Sequence, residues 1–410
     1  MKTADVVLLS TADWDNPFWT NKQHVAMALV KAGHRVFYID SLGLRRPCAT
    51  GRDFRRVGKR LLKAMRPPSR VCERLWVWSP IVLPFHGNRY VRRVNRFLLE
   101  AGLRFWFNSL GLRRQWFWTY SPLADEFFNL SAFTCRVYHC VDEIKAQPGM
   151  PVAVLESTEE RLARKVDVIF TTSPRLTETR KAWNDNVYYL PNVADYEHFS
   201  QALQPELEVP NDLASMSGPK IGFVGAISGY KLDFQLIRKV AEARPDWSLV
   251  FIGEIGEGDP WTDHSLLEGL PNLHLMGPRA YSELPAYLKG FDVALLPNKI
   301  NEYTDSMFPM KFFEYLAAGR SVVSVNLKAI QEFAGYVGIA DNSDEFIAKI
   351  EAVLRGRVPS LQARLELASK HTYEARTSQM RALVRKICED KVLRTGESCS
   401  AAAGHLKSGE

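Results

Sequence analysis

No apolar run in this sequence reaches 18 residues, so no segment reads as a membrane-spanning helix. The start, Met1-Lys2-Thr3-Ala4-Asp5, lacks the build of a signal peptide, because Asp5 interrupts it and the apolar run Val6 to Leu9 is too short. Both absences point to a cytoplasmic protein. Cysteine is scarce: Cys48, Cys72, Cys135, Cys140, Cys388 and Cys399 show no metal-ligand spacing, which predicts free thiols in a reducing compartment and no metal site. Cys135 and Cys140 bracket a predicted strand and read as packing residues. Also lacking are a short-period repeat, a Ser-His-Asp set, a close carboxylate pair and an RNP-like aromatic pattern.

What is present suits a globular enzyme. The 410 residues are 46% hydrophobic and 11% aromatic, enough for two or three well-filled domains. The net charge of +7 is unevenly spread: residues 42–116 hold 18 Lys and Arg against three acidic residues, so the rest of the chain is net acidic. Aromatics interleave this stretch at Phe105-Trp106-Phe107 and Trp116-Phe117-Trp118, the latter predicted as a core strand. A basic, aromatic-rich surface fits an anionic membrane face, and electrostatically it fits nucleic acid as well. With no nucleic-acid motif beside it, peripheral attachment to the inner face of the plasma membrane is expected and a nucleic-acid partner is not.

Strands and helices alternate along the chain. Asp5 to Leu9 and Arg35 to Ile39 flank a helix from Asn21 to Ala32 that Thr20 can cap and Gly33 ends. Further strands are predicted at 115–119, 136–140, 168–172 and 186–190, and a second set opens at Lys220. The pattern predicts parallel sheets covered by helices on both faces. The boundaries are an N-terminal domain at 1–200, a Pro- and Ser-rich linker at 201–219, a second domain at 220–357, returning helices at 358–393 and a disordered tail at 394–410.

The stretch with most chemistry runs from Asp292 to Ser324. A strand leads through a polar loop into Ser306-Met307-Phe308-Pro309-Met310-Lys311-Phe312-Phe313-Glu314, and a helix over 308–319 ends at Gly319 before the next strand. Lys311 and Glu314, three apart, share one end of that helix: a cation for phosphate and a carboxylate for hydroxyls. The strand-to-helix turn Gly225-Ala226-Ile227-Ser228-Gly229-Tyr230-Lys231 lets backbone approach a phosphate closely. Tyr138-His139-Cys140-Val141-Asp142 ends a strand on its ligand-binding side. Asp13-Trp14-Asp15 is formally an acid–any–acid motif, but two carboxylates make a thin Mg²⁺ shell and a loop role is preferred.

Together, Thr20-Asn21-Lys22-Gln23-His24, Leu190-Pro191-Asn192, the Gly225 turn and Lys311-Phe312-Phe313-Glu314-Tyr315 resemble the family 4 (group 1) glycosyltransferases of GT-B fold, closest to the teichuronic-acid and exopolysaccharide branch. That resemblance implies two Rossmann-like α/β domains facing a central cleft, with a C-terminal helix returning to the first. It implies sugar transfer, with retention and without a metal or other cofactor, from a nucleoside-diphosphate sugar to a polysaccharide or lipid-linked glycan. Glu314 then matches the ribose glutamate and Lys231 a diphosphate-gripping cation. Gly225, Glu254, Arg279, Ser306, Met307, Phe308, Pro309 and Lys311 complete the donor side. Asp13, Asp15, Lys22 and His24 border the acceptor, and His139 and Asp142 are both candidates for the place beside the reacting sugar. Ser306 stands where the family has a carboxylate, which keeps open a catalytically weak nucleotide-sugar-binding partner or an epimerase on the same fold.

Overall fold

The computed structural model describes residues 3–16, 19–43, 63, 66–83 and 88–405. Much of the basic stretch, including Arg45, Arg46, Arg52, Arg55, Arg56, Lys59 and Arg60, lies outside these residues, as does Cys48.

The first domain is an eight-stranded sheet: β1 (Asp5–Leu9), β2 (Arg35–Ile39), β3 (Ser69–Cys72), β4 (Leu75–Trp78), β5 (Trp116–Thr119), β6 (Cys135–Cys140), β7 (Val168–Thr171) and β8 (Val187–Tyr189). They lie in the order β3-β4-β2-β1-β5-β6-β7-β8. Every pair is parallel except β3–β4, which runs from Ser69 opposite Val77 to Cys72 opposite Leu75 with a register shift between Arg70 and Cys72. Strands such as Val6–Leu9 and Phe37–Ile39 are apolar at consecutive positions because helices cover both sheet faces. The β3–β4 hairpin lies within the basic stretch, where the run of charge hides its short alternation. The helix Asn21–Lys31 starts as predicted, with the Thr20 N–H donating to Gln23 Oε1 at 3.1 Å.

The second domain holds β9 (Lys220–Val224), β10 (Ser248–Ile252), β11 (Leu273–Gly277), β12 (Val293–Leu296), β13 (Val322–Val325) and β14 (Val337–Ala340). Their order is β11-β10-β9-β12-β13-β14, parallel throughout. This is the Rossmann order, which changes direction between β9 and β12; the first sheet changes direction between β1 and β5. Such switch points leave crevices at the carboxyl ends of the strands, and here they hold the residues described below.

Three expectations are corrected. Residues 201–219 do not span free between the domains. They include the helix Asn211–Ala214, whose Leu213 is fully buried in the second domain's core, because Leu213 and Ala202 supply apolar surface that the composition of the stretch conceals. Cys135 and Cys388 are not free thiols but a disulfide, closing a separation of 253 residues that no local spacing reveals; Cys140 remains a buried thiol. The helix Tyr373–His405 runs beyond Leu393 into the stretch expected to be disordered, where Ala401, Ala402 and Ala403 have the highest helix propensity of any residue.

The returning helix is anchored as expected. Its Met380, Val384 and Cys388 are buried in the first domain's core with Val25, Leu29 and Trp118. The preceding helix, Leu361–Lys370, stays with the second domain, where Arg364 Nη2 donates to Gly319 O at 3.0 Å.

Candidate functional site

At the switch point of the second sheet, β9 is followed by Gly225, whose φ of +154° favours glycine. Its N–H donates to Ile252 O at 2.9 Å. A Cβ on Gly253, at the end of β10, would lie 1.8 Å from Gly225 O, so two bare backbones touch here. Lys311 lies over this turn: a Cβ on Gly225 would come within 3.7 Å of Lys311 Cε.

Lys311 opens the seven-residue helix Lys311–Ala317, shorter than the predicted 308–319. Pro309 precedes the helix instead of starting it. Within the predicted loop, Glu302–Asp305 forms a helical turn of its own, capped by Asn301 Oδ1 accepting from Thr304 N–H at 3.0 Å. Lys311 Nζ pairs with Glu314 Oε2 at 2.8 Å, and the Glu314 side chain is only 8% exposed. On the far side of this helix, Tyr315 Oη accepts from Val224 N–H at 2.9 Å and fixes helix to strand. Gly225, Lys311 and Glu314 therefore form one corner: a backbone turn open to close approach, a cation and a buried carboxylate.

The first domain faces this corner with a second cluster. Asp142, just past the end of β6, accepts from Tyr303 Oη of the second domain at 3.3 Å. Burial raises the Asp142 pKa, and the nearby charges of Lys22 and Lys231 oppose the rise. Burial likewise lowers the Lys22 pKa, with Asp142 opposing and Lys231 adding to the fall. The Lys231 ammonium sits 5.3 Å from the ring centre of Tyr230 and 5.9 Å from that of Tyr303. Lys22, Asp142, Lys231 and Tyr303 thus meet from four separate segments.

His139, the other strand-end candidate, lies deeper, within reach of the charges of Arg376 and Lys22. It is fully buried, stacks on Tyr120 at 4.8 Å, and burial drives its pKa well below the ordinary value. Its side chain points into the core while that of Asp142 reaches the cleft. Of the acceptor-side residues, Asp15 pairs with Lys63 at 3.0 Å, and Asp13 O accepts from Gln23 Nε2 at 3.0 Å. His24 is buried and stacks on Tyr373 of the returning helix at 4.1 Å. Arg279 braces the second domain: it donates to Tyr287 Oη at 2.7 Å and Met276 O at 2.6 Å, and pairs with Asp212 at 3.0 Å. Glu254 is exposed, and its carbonyl accepts from Ile227 N–H at 3.1 Å.

The loop before Lys311 is held by the first domain. Ser173 Oγ donates to Ser306 O at 2.9 Å, and Asn192 Nδ2 donates to Phe308 O at 2.7 Å. Asn192 Oδ1 accepts from Asn21 Nδ2 at 2.8 Å, and Arg376 of the returning helix donates to Asn21 Oδ1. Met307 is half-buried, and Phe308 and Pro309 are buried. Sequence patterns did not single out Tyr303, Asn21 or Arg376 for these roles. Their partners lie 161, 171 and 355 residues away, beyond any spacing rule.

Residues 218–356, within the second domain, match the sequence profile of the family described as Glycosyl transferases group 1. TuaH of Bacillus subtilis (strain 168), assigned by name to teichuronic acid biosynthesis as a glycosyltransferase, is 34% identical over 211 residues, covering 49% of this chain and 52% of TuaH. The chain thus spans about half the length of the curated relative it matches. Among solved structures, sucrose-phosphate synthase (tll1590) from Thermosynechococcus elongatus superposes with a TM-score of 0.65 at 15% identity, over 93% of this chain and 99% of that one. Anabaena Alr3699/HepE, in complex with UDP and glucose, gives 0.64 at 13% over 93% and 100%. An E. coli trehalose-6-phosphate structure with bound UDP-2-fluoro glucose gives 0.64 at 14% over 93% and 99%. At these identities the likeness establishes the fold, which is GT-B: two parallel-sheet α/β domains with returning C-terminal helices.

Proposed function

We propose that this chain is a glycosyltransferase that moves a sugar from a nucleoside-diphosphate sugar to a polysaccharide or lipid-linked glycan. The observation that carries this is the corner formed by Gly225, Lys311 and Glu314 at the switch point of a Rossmann-ordered sheet, within the residues that match the group 1 profile. Glu314 takes the ribose hydroxyls, and the Gly225 turn with Lys311 takes the diphosphate. Lys231, reaching in beside Asp142, adds a second positive charge as the diphosphate departs. Two lysines supply the charge stabilisation, so the proposed transfer needs no metal.

Retention of the anomeric configuration follows from a front-face route, in which the leaving phosphate oxygen takes the acceptor proton. Asp142, which accepts from Tyr303 of the second domain, is the candidate this reading favours for holding an acceptor or donor hydroxyl, with His139 buried behind it as the second. The name of TuaH supports a cell-envelope glycan as acceptor. The basic stretch supports action at an anionic membrane surface, and no helix among the described residues is long and apolar enough to cross a membrane.

The test is to incubate the chain with UDP-, GDP- and ADP-sugars, follow release of the nucleoside diphosphate, and read the anomeric configuration of the product by NMR. Release from one donor class with a retained anomer supports the proposal. Binding of nucleotide sugars with neither transfer nor hydrolysis sinks it.

A further inference from the structure

We infer that the outward face of the helix Arg89–Leu110 inserts into an anionic phospholipid bilayer as an in-plane anchor. This deepens the membrane-surface reading above and rests on it, replacing general attraction by a basic stretch with a defined apolar contact.

The helix is already fixed to the protein by its other face. Leu99, Leu103 and Phe107 are buried, and Gly102 lies so close to Trp78 that an added Cβ would meet the indole ring at 2.7 Å. Asn95 completes this side: its Oδ1 accepts from Leu83 N–H at 2.7 Å, and its Nδ2 donates to Leu83 O at 3.0 Å. The fold therefore has no use for apolar residues on the opposite face.

That face nevertheless carries them. At 3.6 residues per turn, Tyr90, Val94, Phe97, Leu98, Ala101 and Phe105 fall within an arc of about 100°, with Asn108 as its one polar residue, and all seven are exposed. Phe97 is 72% and Phe105 60% exposed, the reverse of where two phenylalanines of a water-facing helix belong. Exposed Ile81 and the side chain of Leu98 line an adjoining groove of about 330 Å³ with Trp78, Pro80 and Trp106.

Charge selects the partner. Arg93 and Arg104 run along one border of the apolar arc, with Arg89 and Arg96 beyond them, all exposed. The one acid of the helix, Glu100, is turned inward, paired with Arg114 at 2.9 Å and accepting from Asn129 N–H at 2.6 Å. An apolar stripe bordered on one side by arginines matches the boundary between acyl chains and anionic headgroups, with the rings below and the guanidiniums at the phosphates.

The test is flotation of the full chain with vesicles of phosphatidylcholine alone and of equal parts phosphatidylcholine and phosphatidylglycerol. Wild type should float with the anionic vesicles and retain part of that binding in high salt, because insertion is apolar. Phe97→Ser with Phe105→Ser, both at exposed positions, should lower binding by about tenfold or more. Arg93→Ser with Arg104→Ser should erase the preference for anionic lipid. Binding by the phenylalanine variant equal to wild type overturns the inserted face while leaving attraction by the basic stretch standing. No selective binding by wild type overturns both. A phenylalanine variant that turns a wild-type dimer into a monomer, with neither binding vesicles, assigns the stripe to a second copy and also overturns the inference. Nucleotide titration of the same preparations reports separately on the transferase proposal, since both pairs of substitutions lie outside the donor corner.

Discussion

Tyr303 of the second domain donates its hydroxyl proton to Asp142 of the first, 3.3 Å away, and this contact joins the two switch-point crevices into one cleft. Tyr303→Phe removes the bond without emptying space, so its expected cost is about 1 kcal/mol. A double-mutant cycle with Asp142→Asn, followed by denaturant unfolding, should show coupling between the two; strict additivity would place them out of contact.

The chain of side-chain bonds from Arg376 through Asn21 and Asn192 to Phe308 O positions the loop before Lys311. Asn192→Ala removes the donor to the buried Phe308 carbonyl and leaves Asn21 Nδ2 only its weak contact with Met310 Sδ at 3.9 Å, an expected loss of about 1–3 kcal/mol. Because the loop it holds leads into Lys311, nucleotide affinity should fall as well, measured by calorimetric titration. Asn192→Asp keeps the acceptor for Asn21 but sets a buried carboxylate oxygen against Phe308 O and should cost at least as much as alanine.

Arg180 lies buried between Glu143, at 2.7 Å, and Glu159, at 2.6 Å, under the end of β6. Arg180→Met should cost about 3–5 kcal/mol by stranding two buried carboxylates. The predicted signature is a steep loss of thermal stability at neutral pH that is partly restored in mild acid, where the carboxylates can protonate. A variant as stable as wild type would show that water reaches the pair.

Burial lowers the pKa of His24 to about 4 from the ordinary 6.5, with the charge of Arg376 contributing next. The folded chain therefore holds His24 neutral while the unfolded chain takes up a proton below pH 6.5. Stability from this group is complete above that pH and is lost as pH falls towards 4, up to on the order of 3 kcal/mol. Urea unfolding between pH 7.5 and 4.5 should show this decline, and His24→Phe, which keeps a ring against Tyr373, should flatten it. His34, also lowered to about 4 by burial, contributes a similar slope that remains in the variant.

Much of this architecture is legible in the sequence because local chemistry dictates it. Apolar runs such as Val293–Leu296 announce strands buried on both faces, Gly225 and Gly319 mark turns, and Lys311 with Glu314 are neighbours by helical spacing. What escapes is whatever depends on the docking of distant segments. His139 and Asp142 are three residues apart on one strand end, and only the fold turns one into the core and the other into the cleft. The Cys135–Cys388 disulfide, the bracing of Arg279 by Asp212 and the seating of Leu213 are long-range in the same sense. The exposed stripe of the Arg89–Leu110 helix is periodic in the sequence, yet its inner face is periodic too, and packing alone decides which one meets the core.

The claim that the Gly225, Lys311 and Glu314 corner holds a nucleotide is tested most directly by calorimetric titration of UDP, GDP and ADP into wild type and Glu314→Ala. At least one diphosphate should bind wild type, with affinity at least about tenfold weaker once the ribose carboxylate is gone, a loss of about 1.4 kcal/mol or more. Equal affinity in both proteins, or no binding of any of the three to wild type, would contradict it.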